Sequence, residues 1–287
     1  MAIPKIIHYC WLSDNPIPAD YQKYMELWKI KLPEYQFILW DTKRFDLNKT
    51  AWTRQAFDTG MYAYASDYIR FFAVYSYGGI YLDMDMEIVK PFGELLDSGL
   101  MLAYENQISE NLEAGCFGAV KSHEYIRKCM EYYEINDFID KENMGKIMRM
   151  PASERHDYIN PVISPEIMKN ALECFKDEEY KIYPREYFTA KNILTGAIER
   201  TKNTYTVHHF ATQYHSPEWR KNRDTEQKIN RIFGEKTLLS KIARKIIAAG
   251  NRVKRMGPGK AAEYYIEKYI TRKKHRKNNP ETAHNAV

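Results

Sequence analysis

The chain has 287 residues, 44% hydrophobic and 28% charged, which is enough for one large buried α/β core and an appendage. Its four cysteines (Cys10, Cys116, Cys129, Cys174) form no Cys-x-x-Cys pair, which excludes a zinc-ribbon or disulfide-framework protein and suggests reduced thiols. The net charge of +5 hides an asymmetry: residues 1–219 carry 24 Lys+Arg against 32 Asp+Glu, while residues 220–287 carry 19 against 6.

Lys5 to Trp11 reads as a first buried strand, reached with no signal-peptide pattern before it and broken by Asn15-Pro16-Ile17-Pro18. Tyr21 to Leu32 has helical periodicity and stops before Pro33; Tyr35 to Trp40 reads as a second strand. Met61 to Tyr77 is predicted to be a helix ended by Gly78-Gly79, and Ile80-Tyr81-Leu82 a third strand. Leu100 to Tyr104 and Cys116 to Val120 are further strands, Glu124 to Tyr133 a helix, 136–180 a mostly helical insertion, and Thr204 to Phe210 a late strand. The alternation predicts a mainly parallel sheet covered on both faces, with ligands at the carboxyl ends of its strands. The apolar, uncharged stretch Phe71 to Leu82 is a dozen residues. Crossing a bilayer takes about 20, so it is expected in the core.

Asp83 and Asp85 lie at the carboxyl end of the third strand. Two carboxylates one residue apart can face one hard cation, Mn²⁺ or Mg²⁺, which in turn binds a diphosphate. The plain alternative is a loop that happens to contain two aspartates. Asp67 and Arg70, three apart, share one face of the preceding helix, whose neighbours Tyr62 to Ala65 and Ile69 to Val74 carry no other charge. They read either as a surface ion pair or as the lining of a site.

The run Ser66-Asp67-x-x-Arg70 followed by Tyr77-Gly78-Gly79-Ile80-Tyr81-Leu82-Asp83-x-Asp85 resembles glycosyltransferase family 32, which is distantly similar to the clostridial glucosylating toxins. The opening Ile3 to Trp11, Gly118 to His123, Ile182 to Phe188 and Val207 to Phe210 resemble the bacterial capsular-polysaccharide members in the same order. The resemblance implies a GT-A, Rossmann-like nucleotide-sugar-binding fold over residues 1–220, with 221–287 a basic helical C-terminal region. It implies a retaining hexosyltransferase that uses a nucleotide-sugar, with UDP expected, and a lipid-linked oligosaccharide acceptor in capsular or surface polysaccharide synthesis.

Carried onto this chain, the resemblance gives Asp83 and Asp85 the metal and donor diphosphate, and Asp67 and Arg70 the donor's sugar and phosphate oxygens. Gly79 borders the donor. Trp11 would stack on the nucleobase, or would be a core tryptophan, and Tyr9 is a second candidate for that pocket. A late histidine completes the metal site in related enzymes; His208 and His209, on opposite faces of a strand end, are the candidates, with His209 preferred. Gly115, Glu105 and Asn106 are expected on the acceptor side. A longer spacer than in related chains, Ala211 to Trp219, leaves the phosphate-side loop open.

The tail repeats Leu238, Leu239, Ile242, Ala243, Ile246 and Ile247 at helical spacing, with Lys241, Arg244 and Lys245 on the other arc and further basic residues to 277. Over 235–277 this suits an anionic membrane surface, placing the protein in the cytoplasm at the inner face of the bacterial membrane; a helix docked on the body is the alternative, and no nucleic acid partner is expected. Two other function classes compete: an Asp-x-Asp phosphohydrolase of the haloacid-dehalogenase type, and a non-catalytic carbohydrate- or membrane-binding protein. The first normally places its motif after strand one with a Thr close behind, whereas here Met86-Glu87 follows.

Overall fold

The computed structural model describes residues 1–150, 155, 159, 162–176, 180–212, 217–260 and 262. The chain divides into two compact units, Met1–Arg223 and Asp224–Val287. The first is built on a six-stranded sheet of β1 (Ile6–Cys10), β2 (Gln36–Trp40), β3 (Gly79–Leu82), β5 (Leu100–Ala103), β6 (Cys116–Ala119) and β7 (Ile182–Tyr183), in the order β2-β1-β3-β6-β5-β7. A two-stranded sheet pairs β4 (Met86–Ile88) with β8 (Thr206–His208).

The α/β class is as expected, but the sheet is mixed. β1 pairs parallel with β2 and β3, and β5 with β7, whereas β6 runs antiparallel to both β3 and β5. The twelve residues between β5 and β6 contain no helix, and β6 returns beside β5 as its antiparallel neighbour. β4 and β7, two or three residues long, carry too little pattern to be read in advance.

Both faces of the sheet are buried, and strand alternation decides which residue serves which face. Tyr81, Leu102, Phe117 and Ala119 point into a core with α2 (Ala51–Asp58), α3 (Tyr62–Tyr77), α4 (Glu124–Ile135) and α6 (Ser164–Ala171). Ile7, Tyr9, Ile80, Leu82 and Met101 point to the other core with Trp28 of α1 (Ala19–Lys31), Met86 and Phe92. Trp28 also donates its indole N–H to the Met86 carbonyl at 2.7 Å, tying α1 to β4. The expected helical insertion contains α5 (Lys141–Arg149) and α6.

α7 (Pro217–Phe233) runs across the division at Arg223, and α8 (Leu238–Met256) of the second unit covers the predicted amphipathic segment. No helix among the described residues is long and apolar enough to cross a membrane. Arg272, Lys273, Lys274, Arg276 and Lys277 lie outside the described residues, as do 213–216 of the spacer.

Gly78 and Gly79 make the turn that carries α3 into β3. Gly78 has φ of 69° and its N–H closes α3 on Val74 O at 2.8 Å. Gly79 has φ of 109°, and a Cβ there would lie 2.6 Å from Ile6 O. Gly79 is therefore demanded by the close approach of β1, and its expected place beside the donor is corrected: it is buried against Ile6 and His8. The Gly79→Ala protein should lose about 2 kcal/mol or more of stability, from backbone overlap and a forbidden φ. Thermal melting reads this as a drop of several degrees; an unchanged melting temperature would contradict the β1–β3 contact.

Candidate active site

Four segments meet beyond the carboxyl end of β3. α3 brings Asp67 and Arg70, the β3–β4 turn Asp83 and Asp85, the lead into β6 Glu113 and Gly115, and β8 His208.

Helical spacing puts Asp67 and Arg70 on one face, and burial makes them partners. Arg70 Nη2 lies 2.8 Å from Asp67 Oδ1, with the side chains only 8% and 10% exposed. Arg70 Nη1 donates to Ala114 O at 2.8 Å and sits 3.7 Å from Asp83 Oδ2, while the guanidinium lies 4.9 Å from the Tyr81 ring centroid. Its Nε is buried with no hydrogen-bond partner. Burial pushes the Asp67 carboxyl up to about 6, against the pull of the Arg70 charge.

The β3–β4 turn is tight because Asp83 N donates to Gly115 O (2.8 Å) and Met86 N to Asp83 O (3.0 Å). The Tyr81 hydroxyl donates to Asp83 Oδ1 at 2.9 Å. Burial raises the Asp83 pKa, opposed by Arg70 and reinforced by Asp85. Asp85 accepts the Ala211 N–H on Oδ2 at 2.7 Å and holds Oδ1 3.4 Å from His208 Nε2. Burial works against its charge, but the His208 interactions and the Ala211 hydrogen bond outweigh it and hold Asp85 at about 2.

Asp83, Asp85 and His208 offer ligand atoms that all lie within 4.8 Å of one another. Two carboxylates and one imidazole form a donor set suited to Mn²⁺ or Mg²⁺, with the remaining positions open to phosphate oxygens and water. The space beside them exists because residue 115 has no side chain. A Cβ there would sit 2.9 Å from Asp83 Oδ2, from Glu113 Oε1 and from His208 Cε1. Gly115, expected near the acceptor, thus borders the carboxylate–histidine cluster, and the residues present fit a divalent cation.

The sequence preference for His209 is corrected to His208. Pairing of Met86 with His208 in the β4–β8 register turns the His208 ring toward Asp85. His209 faces the other way, with Nε2 3.0 Å from Glu87 Oε2 and its ring stacked on Tyr24 at 4.9 Å. Phe210 stacks on His208 with centroids 3.9 Å apart; it adopts φ of 49° and Thr212 φ of 45°. Arg223 Nη1 holds that loop by donating to Phe210 O at 2.7 Å and Thr212 Oγ1 at 2.6 Å.

Tyr9 is also corrected. It alternates to the face of Ile7 and packs edge-on against Trp28 at 5.7 Å in the core. Trp11, half-buried at the end of β1, donates its indole N–H to Asn15 O and meets Tyr21 edge-on at 6.2 Å. A cavity of about 310 Å³ opens beside Asp85, lined by Asp20, Tyr21, Lys23, Tyr24, His209 and Ala211. On the other flank, Glu105 is pushed up to about 7, by burial first and then by the Glu113 charge. Asn106 serves its own loop, accepting the Ile108 and Ser109 N–H groups at 2.9 Å and donating to Glu105 Oε2 at 2.8 Å.

Sequence reasoning missed Glu113. The available signal was one acidic residue among the otherwise uncharged residues leading into β6, Leu112-Glu113-Ala114-Gly115-Cys116-Phe117.

Residues 18–107 match the family described as "Glycosyltransferase sugar-binding region containing DXD motif". Among curated proteins, the chain is 33% identical over 99 residues to inositol phosphoceramide mannosyltransferase 3 of Schizosaccharomyces pombe, covering 33% of this chain and 28% of that protein. It is 30% identical over 107 residues to inositol phosphoceramide mannosyltransferase 1 of the same yeast, covering 35% and 33%. The chain thus spans a third or less of the length of these relatives. Among solved structures, the PaToxG glycosyltransferase aligns with a TM-score of 0.44 and 18% identity, over 60% of this chain and 70% of that one. The matched span contains Asp67, Arg70, Asp83 and Asp85.

The raised Glu105 carboxyl predicts a pH effect on stability. Folding binds a proton that the unfolded chain releases above about 4.5, so Glu105 contributes its full stability below that pH and loses it as pH rises through about 7. Glu105→Gln should therefore be more stable than the parent above pH 7, by on the order of 1–3 kcal/mol, with the gap closing toward pH 4.5. Denaturant unfolding of both proteins in EDTA at several pH values measures it; a pH-independent gap would contradict the burial of a proton-binding carboxyl.

Proposed function

We propose that this chain is a divalent-metal-dependent glycosyltransferase. It moves a hexosyl group, with retention of anomeric configuration, from a nucleoside diphosphate sugar to a lipid-linked saccharide of a capsular or surface polysaccharide. The observation that carries this reading is the convergence of Asp83, Asp85 and His208 beside the buried Asp67–Arg70 pair, within a span that matches the DXD sugar-binding region.

Asp83, Asp85 and His208 would hold Mn²⁺ or Mg²⁺, which supplies positive charge against the leaving nucleoside diphosphate. The Tyr81 hydroxyl and Ala211 amide fix one oxygen of each aspartate, which leaves the other oriented before the donor arrives. Arg70 stays charged under all ordinary conditions and adds a cation 3.7 Å from Asp83 that suits a phosphate or sugar oxygen. Asp67, clamped by Arg70, is suited to accept hydrogen bonds from sugar hydroxyls. Trp11 and Tyr21 offer aromatic surface for a base. Glu105 is the acceptor-side candidate.

UDP is the expected nucleotide. The relatives' names favour a second donor, a mannosyl one, and a lipid acceptor. A thermal-shift panel of UDP- and GDP-hexoses with and without Mn²⁺ separates them, since a ligand of the folded state raises its melting temperature. One donor should give a Mn²⁺-dependent rise that Asp85→Ala abolishes. A rise that survives in Asp85→Ala would refute the metal role, and metal-dependent release of phosphate from simple phosphomonoesters would favour a phosphohydrolase.

A lipid-borne acceptor is consistent with α8 as an anchor at the anionic inner face of the cytoplasmic membrane. Leu238, Leu239, Ile242 and Ile246 are 72%, 59%, 44% and 66% exposed, an unusually apolar arc for a surface helix. Lys241 and Lys245 are exposed alongside it. Apolar burial plus about 1 kcal/mol per basic residue near the lipid surface would favour binding. The full chain carrying Lys241→Glu and Lys245→Glu should sediment markedly less with phosphatidylserine liposomes; equal sedimentation of both proteins would remove α8 as the anchor.

A further inference from the structure

Glu113 is among the most buried charged groups of the described residues, at 1% exposure. A buried carboxylate is costly unless its oxygens are fully hydrogen-bonded. Here they are: Oε1 accepts the Gly115 N–H at 2.7 Å, Oε2 accepts the Thr189 hydroxyl at 2.7 Å, and both lie 3.0 Å from His208 Nδ1. A carboxylate only accepts, so His208 Nδ1 is the donor. Nε2 is then the ring atom left to face Asp85. Phe210 on the ring face removes the remaining rotation. The carboxylate and the imidazole edge also flank the space left by the missing side chain of Gly115, each 2.9 Å from where its Cβ would be.

We infer that Glu113 is a positioning residue for the metal site: it fixes the ring orientation and tautomer of His208 and strengthens Nε2 as an electron-pair donor to the cation shared with Asp83 and Asp85. Glu113 acts only through His208, and the inference rests on the metal reading above. A carboxylate behind a metal-bound imidazole changes metal affinity by about 10- to 100-fold in general.

Glu113→Gln removes the charge together with the Oε2 contact to His208 Nδ1. Its carbonyl can keep the bonds from Gly115 and His208, and its amide can donate to the Thr189 hydroxyl, which rotates to accept. Mn²⁺ binding to the full chain is read from the loss of the free-ion signal in electron paramagnetic resonance, with no nucleotide-sugar present. Glu113→Gln should weaken Mn²⁺ binding about 10-fold or more. In a His208→Ala background the same substitution should cause no further loss, because residues acting as one unit are not additive. Affinity within twofold of the parent, or an equal loss with and without His208, overturns the positioning role. Should Glu113→Gln fail to fold, Thr189→Val removes one donor to Glu113 and should weaken Mn²⁺ binding several-fold; unchanged affinity overturns the inference equally. A parent protein that binds no Mn²⁺ overturns the metal reading itself, whereas parent binding with an unaffected Glu113→Gln overturns this inference alone.

Discussion

The arrangement of the site depends on one buried cation. Arg70 emerges from α3 into a region where water cannot solvate it, and its charge has to be answered by the protein. Asp67 does so directly at 2.8 Å, the Ala114 carbonyl takes a second N–H, and the Tyr81 face and Asp83 complete the surroundings. These groups come from a helix, a strand end and the lead into another strand. Satisfying Arg70 therefore fixes the distance between α3 and the β3–β6 pair, and with it the position of both aspartates. Removing either charge alone would leave its partner buried and uncompensated, which costs more than such a pair contributes when intact.

Around that cation, electrostatics and sterics act together. Asp85 stays ionised because His208 and the Ala211 amide overcome its burial, whereas burial pushes Asp83 the other way despite the Arg70 charge, with Asp85 adding to the rise. Two aspartates separated by one residue thus have different environments. Glu113 adds a second carboxylate to His208 from the far side of the ring, and Gly115 keeps the space between them open. The chemistry is compressed into a few ångströms, while the elements that supply it are spread from residue 67 to residue 211.

Much of this was legible in the sequence, and the parts that were not have physical reasons. Asp67, Arg70, Asp83 and Asp85 stand out because charges are scarce in an apolar helix and at the end of a buried strand. The α3 and β3 boundaries follow from the Gly78-Gly79 turn. The choice between His208 and His209 was not legible, since it depends on register: Met86 opposite His208 turns one ring inward, and a shift by one residue would have turned the other. Tyr9 was misjudged for the related reason that it faces α1, which becomes evident only when the strand's two faces are assigned. Glu113 was missed because its partner lies 95 residues away, and no local periodicity encodes a contact of that kind. The antiparallel course of β6 was not legible because it is a property of how the connection folds, without a helix, and not of the strand's own composition.

The loop beside the histidine sets backbone comfort against side-chain contact. Phe210 and Thr212 both hold left-handed backbone conformations, which cost a side-chain-bearing residue about 1–2 kcal/mol relative to right-handed ones. What opposes that cost is contact: the Phe210 ring against His208 and the Thr212 hydroxyl under Arg223. Glycine at either position would relax the backbone and remove that contact, so an engineer who stabilised this loop would do so at the expense of the geometry around the histidine.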